Sequence, residues 1–257
     1  MKKLFFVLSF TFIINSNGQN NQELVYFESA NPFSLSDIIN DLENQEKQTV
    51  FGKLTIPVDS LNPNKKYPLI IGVAGSLGWR KHHLDYMKMY QKEGFATFEL
   101  NSFKSRRISS TVGSQDQVTV AAIILDSYRA LEKLAKISNI DEDNVAITGW
   151  SLGGGVALFS AWMPLKNIIS KELSFAAHLS FYPPCFFNME NLSFTKSPMH
   201  ILVGRDDNWT PAAPCERLVD KLSVKSNIGI TVYPDSHHGF DSEEPVVRND
   251  KGFSFKN

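Results

Sequence analysis

Net charge is nearly absent from this sequence: 26 Lys and Arg stand against 27 Asp and Glu, for a formal charge of -1. Such a balance offers no electrostatic footprint for nucleic acid or an anionic membrane surface, and neither is expected as a partner. No repeat or low-complexity tract interrupts the chain. The apolar run at the N-terminus, Leu4 to Ile14, is too short to span a bilayer comfortably. Behind Met1-Lys2-Lys3 it has the two parts of a secretory signal, and Ser16-Asn17-Gly18-Gln19 supplies a cleavage region. Residues 1–18 therefore read as a signal peptide, leaving a secreted or periplasmic mature chain with no membrane span. No cysteine near the end of the run supports a lipoprotein. There are only two cysteines, Cys185 and Cys215, both in the mature part. Export would permit a disulfide between them, and the sequence leaves the pairing open. His82 and His83 lack a third ligand at metal-binding spacing, so they read as a solvated helix start. No metal and no cofactor is expected.

What the chain does have is alternation. With 257 residues and 42% hydrophobic content it can bury one substantial core. Residues 19–48 mix Asn, Gln, Glu and Ser and read as a surface-wrapping lead-in to a single domain over 49–257. Strands are expected over Thr49 to Val58, Tyr67 to Gly75, Gly94 to Leu100, Val145 to Thr148, Ser174 to Tyr182, Pro198 to Gly204 and Ile228 to Tyr233. The run from Tyr67 to Gly75 is nearly all apolar, as in a strand buried on both faces of a parallel sheet. Helices fit around Leu84 to Glu93 and, with apolar residues at helical spacing, over Val118 to Lys136. The fold class is α/β: a mostly parallel sheet flanked by helices, with right-handed crossovers. The polar stretch from Asn101 to Gln117 is long for a connection in a compact domain and reads as a functional loop.

Chemistry concentrates where Val145 to Thr148 runs into Gly149-Trp150-Ser151-Leu152-Gly153 and then an apolar, helix-compatible segment. A strand, a sharp turn and a helix in succession thrust the serine hydroxyl out beside the unpaired N–H groups of the helix start. The glycines two before and two after Ser151 let strand and helix pass closely. Parallel sheets carry their chemistry at the carboxyl ends of strands. Two further loops there bring an acid, in Gly204-Arg205-Asp206-Asp207-Asn208-Trp209-Thr210-Pro211, and a base, in Pro234-Asp235-Ser236-His237-His238-Gly239-Phe240-Asp241. The chain order serine, aspartate, histidine is that of α/β-hydrolases.

From Thr49 to Asp241 the chain resembles the dienelactone hydrolase family of α/β-hydrolases. The matching pieces are Gly149-Trp150-Ser151-Leu152-Gly153-Gly154, the segment Gly204 to Pro211 with Cys215 beyond it, Tyr233-Pro234 followed by His238-Gly239-Phe240, and the stretch from Asn101 through Arg106-Arg107 to Thr111-Val112. The resemblance implies an α/β-hydrolase fold without a lid domain, with Asp207 as the acid and His238 as the base, Asp206 and His237 being bland neighbours. It implies a serine hydrolase that cleaves a carboxylic ester or lactone through an acyl-enzyme intermediate. The N–H groups of Leu152 and Ser76 would hold the oxyanion. Arg106 and Arg107 could reach a substrate carboxylate, and Trp150 and Trp209 could wall the pocket. His178 and His200 read as hydrogen-bonded core residues. Many family members carry cysteine where this chain has Ser151, and Ala74-Gly75 stands where relatives show His-Gly, so lactone specificity does not carry over. The chain ends where relatives continue into a final helix, from which a truncated C-terminus and a mobile His238 loop are expected. A peptidase or acyl-peptide hydrolase of the same fold, and a catalytically weak binding protein, are the competing readings.

Overall fold

The structure, a computed structural model, describes residues 20–187, 191–245 and 247. Eight strands form one sheet: β1 Asn21–Ala30, β2 Lys47–Ile56, β3 Tyr67–Val73, β4 Ala96–Leu100, β5 Ile140–Trp150, β6 Ala177–Phe181, β7 Met199–Gly204 and β8 Ile228–Tyr233. Between them lie helices α1 Leu35–Asp41, α2 Lys81–Lys92, α3 Ser102–Ser105, α4 Val120–Leu134, α5 Leu152–Phe159, α6 Met163–Ile169 and α7 Ala212–Leu222. The strand order is β1-β2-β4-β3-β5-β6-β7-β8. Strands β3 to β8 pair in parallel, while β2 runs antiparallel to both β1 and β4.

This order positions the site. From β3 the chain steps to one side for β4 and to the other for β5, so the loops leaving β3 and β5 diverge around a crevice. Burial follows the apolar pattern: β3 is buried nearly throughout, as a central parallel strand should be. Helix α4 packs on β1 and α5, and α7 on β7 and β8. Its N-cap, Thr119, accepts a hydrogen bond from Ala122 N–H at 3.1 Å.

The expected lead-in is corrected. Residues 20–48 are not a surface wrap: β1 pairs with β2 along all ten of its residues. Val25, Phe27, Ser29 and Ala30 are buried on it while Leu24, Tyr26 and Glu28 are exposed. Alternation on that strand is hidden from composition by its exposed Asn21, Gln22, Glu23 and Glu28. Helix α1 then starts at a capping box formed by Ser34 and Asp37. A domain boundary at residue 48/49 would cut β2. The strand expected over Val145 to Thr148 is longer than that: β5 begins at Ile140, and it shifts register against β3 between Tyr67 and Leu69.

The expected signal peptide and the residues from 248 onward lie outside the described residues. Among the described residues no helix is long and apolar enough to cross a membrane.

Candidate active site

Ser151 stands between β5 and α5 with φ 55° and ψ -115°, a backbone conformation that costs a non-glycine residue of order 1–3 kcal/mol. Its surroundings hold it there. The Ser151 N–H donates to Phe181 O at 2.9 Å, tying the turn to the end of β6. A Cβ on Gly149 would lie 2.1 Å from Gly153 O, so the strand and the helix can meet only over glycine. Leu152 opens α5, and its N–H has no acceptor within the helix. On the other side, the turn from Gly75 to Gly78 leaves β3 with Gly78 N–H donating to Gly75 O at 2.9 Å, and Gly75 runs against Trp150 O and Ser151 Cβ. Ser76 in that turn accepts Thr111 N–H at 2.9 Å, which anchors it to the long loop.

His238 follows β8 and Asp207 follows β7. His238 Nε2 is 3.0 Å from Ser151 Oγ, and His238 Nδ1 is 2.8 Å from Asp207 Oδ2. Asp207 is fully buried. Its Oδ1 accepts the N–H groups of Trp209 and Thr210, both at 2.8 Å. The two loops are registered against each other through backbone: Arg205 N–H donates to Tyr233 O and Asp206 N–H to Ser236 O. Gly204 permits that contact, since a Cβ there would lie 2.1 Å from Ser236 O. Asp206 and His237 are exposed, and His237 Nδ1 meets only the Asp206 carbonyl, at 3.0 Å.

The remaining candidates separate. Arg106 does not face a substrate: its guanidinium is buried against Asp126, Asn31, Ser102 O and Ala30 O, which leaves it no free edge. Arg107 is exposed, and its guanidinium has no ion pair or hydrogen bond among the described residues. It lines a cavity of about 390 Å³ beside the β3 turn, together with Leu77, Trp79, Leu100, Phe103 and Ile108. Asn101 to Lys104 and Arg107 to Ser109 of the long stretch after β4 line that cavity. Trp150 is fully buried, between His83 and Phe181, and is not among the residues that line this cavity. Trp209 stacks on the His238 ring at 5.2 Å.

The histidine pair at α2 is not a solvated helix start. His83 is buried, accepts Arg80 N–H at 3.2 Å and stacks on Trp150 at 4.5 Å; burial, with His82 and Arg80 nearby, pushes its pKa down to about 2. His178 is a buried core residue bonded to Ala157 O, pushed down by burial to about 4. His200, by contrast, is exposed and meets Thr231 Oγ1. Cys185 and Cys215 are joined as a disulfide, which links the segment after β6 to α7.

Just after the histidine, Phe240 packs on Tyr182 and Tyr233, and Glu244 pairs with Arg80 at the N-cap of α2.

Three residues at this site had no role read from sequence. Thr210 Oγ1 lies 2.9 Å from Asp207 Oδ2, 2.9 Å from Tyr182 O and 3.0 Å from His238 Nδ1. The hydroxyl three residues after an aspartate is a turn-forming spacing that could have signalled it. Tyr182 and Asp241 meet through an O–H donated to Oδ1 at 2.9 Å, across 59 residues, and no local signal marks that.

The family model of the dienelactone hydrolase family matches residues 58–253. No curated protein matches the chain. Among solved structures, the chain is similar to m3DLH, with a TM-score of 0.64 at 15% identity over 86% of this chain and 84% of that one. It is similar to a dienelactone hydrolase-like promiscuous phosphotriesterase from metagenomic libraries, with a TM-score of 0.58 at 14% identity over 85% and 84%. Esterase 2 of Thermogutta terrifontis gives 0.58 at 16% identity over 79% and 83%. These three likenesses are of fold.

Proposed function

The chain belongs to the dienelactone hydrolase family, and from that premise we propose that it cleaves a carboxylic ester through an acyl-enzyme intermediate on Ser151. The observation that carries the proposal is His238, whose Nε2 is 3.0 Å from Ser151 Oγ while its Nδ1 is 2.8 Å from Asp207. In this reading Ser151 Oγ attacks the ester carbonyl carbon and its proton passes to His238 Nε2. Asp207, held by Trp209 and Thr210 N–H, keeps the Nδ1–H tautomer and stabilises the imidazolium. The N–H groups of Leu152 and Ser76 receive the charge that develops on the carbonyl oxygen; a single such donor is typically worth about 3–4 kcal/mol of barrier. His238 then returns the proton to the departing alkoxide. Water repeats the sequence and frees the acid, restoring Ser151.

The cavity beside the β3 turn, apolar along Leu77, Trp79, Leu100, Phe103 and Ile108, suits an apolar portion of the substrate, and Arg107 at its wall suits a carboxylate on that portion. A pocket of this size takes a small molecule rather than a folded polypeptide. Export is proposed on the basic start and short apolar run of residues 1–14. The Cys185–Cys215 disulfide is compatible with it.

A labelled fluorophosphonate tests nucleophile and activity together. Thermogutta terrifontis esterase 2, at 16% identity, is known phosphoramylated by tabun, and the analogous adduct here should map to Ser151 by peptide mass spectrometry. Hydrolysis of p-nitrophenyl acetate should vanish with Ser151→Ala in a folded protein. An adduct on another residue, or a folded Ser151→Ala variant keeping a tenth of the rate, would overturn the assignment. N-terminal sequencing of the mature protein should begin near Gln19, and retention of Met1 would refute cleavage of the signal.

A further inference from the structure

Three residues beyond His238 sits a carboxylate with no part in the chemistry described so far. The Asp241 side chain is 2% exposed. Its Oδ2 accepts Trp150 Nε1–H at 3.1 Å, and its Oδ1 accepts Tyr182 O–H at 2.9 Å. From α2, His82 Nε2 stands 3.4 Å from the same hydroxyl and 3.9 Å from Oδ1.

Each of these partners is next to a residue of the site. Trp150 immediately precedes Ser151. Tyr182 follows Phe181, whose carbonyl takes the Ser151 N–H. The Tyr182 carbonyl in turn takes the Thr210 hydroxyl, which touches Asp207 and His238. The Tyr182 ring meets the His238 ring edge-on, with centroids 4.6 Å apart. Between His238 and Asp241 the chain makes a tight turn, with Gly239 at φ 72° and Ser242 N–H donating to Gly239 O at 2.9 Å. A shift at Asp241 therefore reaches His238 with little slack.

Stability alone does not account for a carboxylate here, because buried polar charge can often be replaced by apolar groups of similar volume at no cost to stability. What an apolar residue cannot do is fix direction. Two acceptor oxygens on one rigid group hold the end of β5, the end of β6 and the histidine loop in a single geometry.

We propose that Asp241 is a positioning residue for the hydrolase reaction, clamping the His238 loop to Trp150 and Tyr182 so that His238 Nε2 stays within reach of Ser151 Oγ. This rests on the Ser151, His238 and Asp207 reading above. Displacement of a catalytic group by about 1 Å can cost on the order of 100-fold in rate, so the signature is in kcat.

The test measures kcat and KM on p-nitrophenyl acetate, per folded protein read by circular dichroism and size-exclusion chromatography, for Asp241→Asn in the wild-type and His238→Ala backgrounds. Asp241→Asn should lower kcat by roughly 10- to 100-fold with KM within about twofold. In the His238→Ala background the same substitution should change the residual rate less than about twofold, since a clamp on an absent imidazole has nothing left to position. An equal loss in both backgrounds, or a loss matched by the loss of folded protein, would mean that Asp241 only supports the fold, and would overturn the proposal. Should Asp241→Asn fail to fold, Tyr182→Phe removes one of the two bonds and keeps the ring. A folded Tyr182→Phe with wild-type kcat would overturn it as well. If His238→Ala by itself keeps wild-type rate, the triad reading falls; if His238→Ala is dead and the Asp241 and Tyr182 variants are normal, only the clamp falls.

Discussion

Arg106 and Asp126 are joined at two points, Nη1 to Oδ2 at 2.7 Å and Nη2 to Oδ1 at 3.1 Å, with side chains 6% and 0% exposed. The pair ties the loop after α3 to the middle of α4, and the same guanidinium reaches Ala30 O and Asn31 at the end of β1. Removing one member would leave an uncompensated buried charge. Arg106→Leu and Asp126→Leu should each destabilise by roughly 3–5 kcal/mol, read from urea unfolding midpoints. Arg107→Ala, one residue on but exposed, should leave stability within about 0.5 kcal/mol and raise KM selectively for esters that carry a carboxylate. Equal destabilisation by the two arginine variants would contradict this division.

At the acid and base loops the prediction is one of rank. Asp207→Asn and His238→Ala should lose activity by orders of magnitude, as removal of triad members does. Asp206→Asn and His237→Ala, which alter exposed side chains, should stay near wild type. Thr210→Val deletes the hydroxyl beside both Asp207 and His238 and should lie between. Steady-state kinetics of the five folded variants would show the ranking, and a reversed order at either pair would shift the site by one residue.

Loss of the Cys185–Cys215 disulfide opens a loop of 30 residues. Chain entropy assigns such a loop about 3–4 kcal/mol. The Cys185→Ser/Cys215→Ser protein, or the protein under dithiothreitol, should therefore unfold at clearly lower urea concentration, with kcat reduced less than stability. A change under about 1 kcal/mol would show that native strain or residual structure offsets the entropy.

Stability should fall in mild acid because of buried histidines. His83 has a folded pKa of about 2 against 6.5. Its contribution is therefore complete above the unfolded value and is lost as pH falls below 6.5, where only the unfolded chain takes up the proton. At pH 5 the loss from His83 reaches up to about 2 kcal/mol. His178, held near 4 by burial, adds a loss over the same range down to its folded value. His83→Phe keeps a ring against Trp150 without the titration. The stability difference between pH 7 and pH 5 should shrink by up to about 2 kcal/mol in that variant, and an unchanged difference would mean that His83 protonates in the folded state.

Sequence alone determined the features whose cause is local. The near-continuous apolar run of β3, the helical spacing of α4 and the glycine-flanked serine after β5 each follow from residues within a few positions of one another, and each stands in the structure where it was expected. The family register also named His238, whose side chain the structure brings to Ser151, and Asp207, which it brings to the other nitrogen of His238. What the tertiary structure decided were the destinations of side chains that local pattern leaves equivalent. Arg106 and Arg107 are neighbours of one type, yet an aspartate twenty residues away on α4 buries the first while the second faces the cavity. The lead-in became β1 because an apolar alternation masked by polar residues found β2 as a partner. Asp241 gained its role from Trp150 and Tyr182, 91 and 59 residues away. Periodicity reports which face of an element seeks burial; only the packed sheet says which donor and acceptor meet once it is buried, because an unpaired polar group there costs too much to be left to chance.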